Sequence, residues 1–81
     1  TVEEFAIPRE GPLHGRQLAN SGIRQVSNAL ILSVIHEGEQ VFNPPPLLTL
    51  QSGMVLVALG DHNELNRLRD YIQGEELSEL I

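Results

Sequence analysis

The stretch Met-Val-Leu-Val-Ala-Leu, residues 54 to 59, is apolar in both phases of a strand. Met54, Leu56 and Ala58 point to one side of a sheet, and Val55, Val57 and Leu59 point to the other. Residues 29 to 35, Ala-Leu-Ile-Leu-Ser-Val-Ile, repeat the pattern with only Ser33 interrupting it. A sheet with one wet face alternates apolar and polar residues, so strands that are apolar throughout need cover on both sides. The chain has 81 residues and few helices to offer. Leu65, Leu68 and Ile72 recur at i, i+3 and i+7, which predicts an amphipathic helix of about 11 residues. A second, shorter helix of one or two turns is predicted from about His14 to Asn20, closed by Ser21-Gly22. Together they cover about one face. The other face is expected to meet another copy of the chain or another domain; the alternative is that the two helices split across the two faces.

The remaining elements follow from local chemistry. Thr1–Ile7 reads as a strand, and Pro8-Arg9-Glu10-Gly11-Pro12 as a loop. Glu37-Gly38-Glu39 is a hairpin-length connection from the 29–35 strand to a short partner at Gln40–Phe42. Pro44, Pro45 and Pro46 cannot donate ladder hydrogen bonds, so that partner must stop there or run along a sheet edge. Gln51-Ser52-Gly53 is a turn into the 54–59 strand, and Asp61 with Glu64 forms a capping-box pattern at the start of the final helix, which ends before Gly74. The fold class is α+β: a small β-α-β-β-β-α domain with a mostly antiparallel sheet, helices on one face and a dimer partner on the other. Residues 1–74 form the domain, and 75–81 an acidic tail or short helix.

Composition narrows the chemistry. The net charge is −6, and all five basic residues are arginines, scattered at 9, 16, 24, 67 and 69. A nucleic-acid polymer needs a clustered cationic footprint, so no such partner is expected; a small anionic ligand held by one or two arginines is compatible. The absence of lysine removes Walker-type and Schiff-base chemistry, and the absence of cysteine removes thiol nucleophiles, disulfides and thiolate metal sites. His14, His36 and His62 lack zinc-like spacing. Glu75, Glu76 and Glu79 read as a solvated acidic face, the alternative being a loose hold on a divalent cation. No catalytic constellation and no metal site is predicted, and the chain is read as no enzyme. No apolar run approaches the roughly 20 residues of a membrane span, and no signal-peptide pattern opens the chain. Arg24 is the polar residue of most interest: it lies between the first helix and an apolar strand. There its guanidinium could fork onto a ligand phosphate or a partner carboxylate, or close an intramolecular pair.

Read in order, His14-Gly15-Arg16-Gln17-Leu18, Gly22-Ile23-Arg24, Ala29 to Gly38, Asn43-Pro44 and Leu50 to Gly60 resemble the TrkA-C domain, the C-terminal subdomain of regulator-of-potassium-conductance (RCK) modules. These correspond to the family's hGktL, vviaIxRxG and LxxGDxLxVxG patterns, with Asn-Pro most frequent in potassium-channel members. The likeness covers about residues 2 to 72. Met54 stands where the family's aspartate is usual, and His36 where a basic residue is common. The resemblance implies a regulatory, ligand-binding lobe on the cytoplasmic side of the membrane. Such a lobe is attached to a membrane-embedded potassium-channel pore or to a transporter or antiporter subunit, and it pairs as a homodimer. It further implies a cleft for a cyclic dinucleotide, cyclic di-AMP, contacted by Ile23, Arg24, Ile31 and one of Pro44 to Pro46, with Pro44 the first choice. Leu30 departs from the pattern, standing where nucleotide binders carry a polar residue. A dimerisation module without ligand, and an accessory domain of a metabolic enzyme, are the readings from other classes.

Overall fold

Residues 1–74 are described by a computed structural model. The predicted acidic tail at 75–81, with Glu75, Glu76 and Glu79, lies outside the described residues. The elements are β1 (Val2–Ala6), α1 (Ile23–Ser27), β2 (Leu30–His36), β3 (Glu39–Phe42), β4 (Val55–Leu59) and α2 (His62–Gln73). One four-stranded sheet runs in the order β1-β4-β2-β3, and every pairing is antiparallel. The α+β order read from the sequence is therefore the one that forms.

Two local signals act as expected. Asp61 accepts a hydrogen bond from the Glu64 amide at 2.8 Å, and the Glu64 carboxylate accepts one from the Asp61 amide at 2.8 Å. This reciprocal box satisfies two donors that α2 would otherwise leave unpaired. Gly74 ends α2 with a left-handed φ of 73°. The β2–β3 hairpin turns on Glu37 and Gly38, both at positive φ (53° and 81°), as a tight two-residue connection needs. β3 is an edge strand and stops at Phe42, ahead of the three prolines.

The first helix differs from expectation. Residues 14–20 hold only a 3₁₀ turn at Leu18–Asn20, and the α-helical segment begins at Ile23, after the glycine expected to close it. The physical reason is where the backbone groups of 14–20 go. The amides of Gly15, Leu18 and Ala19 donate to the carbonyls of Leu50, Leu48 and Pro46, and the Leu50 amide donates back to Arg16. With three of its amides paired to 46–50, the strip keeps too few local partners for an α-helix and closes only the 3₁₀ turn. Gly22 does adopt the left-handed region (φ 81°), but as the hinge between the 3₁₀ turn and α1.

Both helices lie on one side of the sheet. Leu56, Ala58 and Val34 pack with Ile23 of α1 and with Leu65, Leu68 and Ile72 of α2 in one buried cluster that also takes Phe5, Leu13 and Leu50. Register defines the opposite face. Leu59 pairs with Val2 and with Leu30, and Val57 pairs with Glu4 and with Ser33. Directly opposed residues in an antiparallel pair share a face. Val2, Leu30, Ile35, Phe42, Val55, Val57 and Leu59 therefore line the side away from the helices. Val57, though only 9 % exposed, belongs to no part of the core cluster. Gln40 reaches across this face to donate to the Ser33 hydroxyl at 2.8 Å. A register shift between Ile31 and Ser33 puts Leu32 in a bulge, which lets Leu30 and Ser33 share that face while Ile31 turns to the core. Among the described residues, neither helix covers this apolar face.

Candidate functional site

A groove of about 270 Å³ opens where the 18–25 segment meets the start of β2. Its wall is built from Leu18 and Ala19 of the 3₁₀ turn, Ser21, and the first turn of α1; its other side is Ala29, Leu30 and Ile31. Three of the four residues expected to contact a ligand, Ile23, Arg24 and Ile31, line this one groove. Ile23 is buried and anchors α1, Ile31 is half-buried against the core, and Arg24 is exposed. Pro44 does not line the groove. Among the three prolines, Pro46 is the one bonded to the groove wall, its carbonyl accepting from the Ala19 amide at 2.8 Å.

Arg24 stands apart from the chain's other groove and helix arginines. Arg69 is bound to Glu3 at 2.5 Å and to Asn66 at 2.8 Å, and lies 5.7 Å from the centre of the Phe5 ring. Arg67 donates to the Ser27 carbonyl at 3.2 Å. Among the described residues Arg24 makes no ion pair and no side-chain hydrogen bond. A guanidinium with no partner among the described residues, beside an apolar groove, is equipped to fork onto a phosphate or carboxylate. A second depression, beside Glu3, Phe5, Arg69 and Ile72, has its one guanidinium already engaged by Glu3.

The groove borders the uncovered sheet face. Leu30 belongs to both, lining the groove and pairing with Leu59 across the sheet. Its departure from the nucleotide-binding pattern thus falls at the junction of groove and face. Sequence reasoning missed Leu18, Ser21 and Gln25 as wall residues. They were missed because the segment was read as a helix ending at Asn20, which hid the 3₁₀ turn and hinge that bring them together.

His14 accepts from the Ser52 amide through Nδ1 at 3.0 Å, joining the strip at 14–20 to the turn before β4. Among the described residues no group of three or more His, Cys, Asp or Glu side chains converges to hold a metal. No helix among them is long and apolar enough to cross a membrane.

Residues 2–73 match the TrkA-C domain. A curated relative, potassium channel protein 1 of Methanocaldococcus jannaschii, is 31 % identical over 70 residues, covering 86 % of this chain and 21 % of the relative. The chain thus spans about a fifth of that protein's length. Among solved structures, the RCK_C domain dimer of S. agalactiae BusR in complex with c-di-AMP superposes with a TM-score of 0.82 at 19 % identity, covering 89 % of this chain and 95 % of that one. The RCK C domain of the potassium transport protein KtrA, also in complex with c-di-AMP, superposes with a TM-score of 0.76 at 23 % identity, covering 86 % and 80 %. The antiparallel sheet with both helices on one side is the fold of these domains, and with residues 2–73 matched, nearly its whole length, the chain belongs to the TrkA-C domain family.

Proposed function

We propose that this chain is the regulatory, ligand-binding and dimerisation subdomain of a potassium channel, placed on the cytoplasmic side of the membrane. The observation that carries the reading is the groove holding Arg24, which has no side-chain partner among the described residues, at the margin of an apolar sheet face that neither described helix covers. A second copy seated on that face would bring a second groove beside the first. Cyclic di-AMP carries two phosphates related by two-fold symmetry, so a two-fold pair of Arg24 residues matches it in charge and in symmetry. Leu30 and Ile31 supply apolar surface for the adenines, and Ile23 anchors the wall behind them. The potassium-channel relative and the c-di-AMP-bound neighbours of the same fold support the assignment of ligand class and setting. The net charge of −6 supports keeping nucleic-acid polymers out of it.

In this reading the subdomain regulates rather than catalyses. A ligand that binds one dimer geometry more tightly than another shifts the population towards it, by no more than that difference in affinity. The attached pore reads the shift as a bias on opening. The likeness to the KtrA domain supports the same role in a transporter subunit. Leu30 favours a different reading: an apolar residue at the groove's edge fits a ligand-free dimerisation module.

Isothermal titration with cyclic di-AMP separates these. The reading predicts saturable heat at one nucleotide per two chains. Arg24→Ala should weaken binding by about 10- to 100-fold, the loss of a charge-assisted hydrogen bond in a site with little else that is cationic. Titration of the unchanged protein with cyclic dinucleotides and adenine nucleotides that gives no heat from any of them would leave the dimerisation module standing.

A further inference from the structure

α2 carries two stripes. Leu65, Leu68 and Ile72 enter the core, and one position earlier in each case Glu64, Arg67 and Tyr71 repeat the same i, i+3, i+7 spacing. All three members of the polar stripe reach the segment that forms the groove wall. The Glu64 carboxylate accepts from Asn28 Nδ2 at 2.9 Å, Arg67 donates to the Ser27 carbonyl at 3.2 Å, and the Tyr71 hydroxyl donates to the Ser21 carbonyl at 2.5 Å. The segment carrying Ile23 and Arg24 is therefore fastened to α2 at both ends, Ser21 on one side and Ser27-Asn28 on the other.

The Tyr71 contact is the buried one. Tyr71 is 8 % exposed and Ser21 1 %. The Ser21 hydroxyl donates to the Leu18 carbonyl at 2.8 Å and accepts from the Ile23 amide at 3.3 Å, so the carbonyl that Tyr71 holds belongs to the residue that orients the 3₁₀ turn against α1. Gly22 completes the arrangement: a Cβ at that residue would lie 2.6 Å from the Tyr71 hydroxyl. The ring can approach the hinge only because the side chain is missing there.

We infer that Tyr71 is a positioning residue for the groove: its hydroxyl holds the Ser21–Gly22 hinge so that α1 presents Arg24 to a bound anion, and it links groove occupancy to the position of α2. The inference rests on the proposed role of the groove, and its test is built to distinguish failure of the one from failure of the other. Tyr71→Phe keeps the ring and removes only the hydroxyl. The probe is cyclic di-AMP, read by isothermal titration, together with amide hydrogen exchange of the free protein.

Tyr71→Phe should weaken cyclic di-AMP about tenfold and leave the dimer dissociation constant unchanged. The amides of Val26 and Asn28, which bond to Gly22 and Arg24, should exchange about tenfold faster. A residue acting through Arg24 must lose its effect when Arg24 is gone. In an Arg24→Ala background, Tyr71→Phe should therefore change affinity little further, whereas an effect that simply adds to that of Arg24→Ala overturns the assignment. Unchanged affinity in Tyr71→Phe overturns it too. If the unchanged protein gives no heat, the ligand reading falls and the presentation of Arg24 to an anion falls with it; faster exchange at Val26 and Asn28 then sustains only the hold of Tyr71 on the hinge, and unchanged exchange ends that too.

Discussion

A glutamate in place of Leu59 is expected to leave the single chain folded and to abolish its association. Leu59 lies at the end of β4 on the face away from the helices, opposed across the sheet by Val2 and Leu30, and all three are substantially exposed in the single copy. A carboxylate there is solvated as long as the chain is alone, so the change in its stability should stay within about 0.5 kcal/mol. Pairing of two copies through this face would strip water from that charge without giving it a partner. The cost of an uncompensated buried charge is about 3–5 kcal/mol, and a symmetric dimer would bury two of them, so the dimer dissociation constant should rise by at least about 10,000-fold. Sedimentation velocity over a concentration series checks this. A Leu59→Glu variant that remains as dimeric as the parent would place any interface elsewhere.

The other large effect concerns the core. Leu68 is fully buried in the middle of α2, in the cluster shared with Leu56, Ala58 and Phe5. Leu68→Ala should destabilise the chain by about 2–5 kcal/mol, the lost transfer energy plus the cavity. For a domain of 81 residues the whole stability is roughly 4–12 kcal/mol, so this single change removes a large share of it. Denaturant unfolding should show a lower midpoint with the same slope. Leu47, 70 % exposed, provides the contrast: Leu47→Ala should move the midpoint by no more than about 0.5 kcal/mol worth of stability. In the proposed dimer, association stabilises only the folded chain, so the Leu68→Ala midpoint is expected also to rise with protein concentration.

How much of this was legible in the sequence depended on whether the signal was local. α2 could be read end to end because its cap, its apolar row and its terminal glycine all lie within the helix itself: Asp61, Glu64, Leu65, Leu68, Ile72 and Gly74. The hairpin at Glu37-Gly38 was legible for the same reason. The two-faced apolar character of β4 was visible because strand periodicity needs no knowledge of partners. The 14–20 segment misled because the amides of Gly15, Leu18 and Ala19 are satisfied by carbonyls about thirty residues downstream, a pairing that leaves no local trace. The bulge at Leu32 was equally silent; without it, Leu30 and Ser33 fall on opposite faces, and the meeting of groove and uncovered face at Leu30 disappears.

For the site, Arg24 was legible from its place between a helix and an apolar strand, Ile23 and Ile31 came from resemblance, and the three meet in one groove, whereas Pro44 does not line it. The polar stripe on α2 was not legible. Arg67 and Tyr71 look like the solvated side of an amphipathic helix until α1 is folded against them.

The central claim, that a second copy covers the sheet face away from the helices, is tested most directly by methyl relaxation from a soluble paramagnetic agent. In a lone chain Leu30, Leu59 and Leu47 are 45 %, 39 % and 70 % exposed, so their relaxation enhancements should differ by less than a factor of two. The account predicts that at high protein concentration the methyls of Leu30 and Leu59 become nearly insensitive to the agent while Leu47 stays fully sensitive. Leu30 and Leu59 methyls that relax in step with Leu47 at every concentration would contradict it.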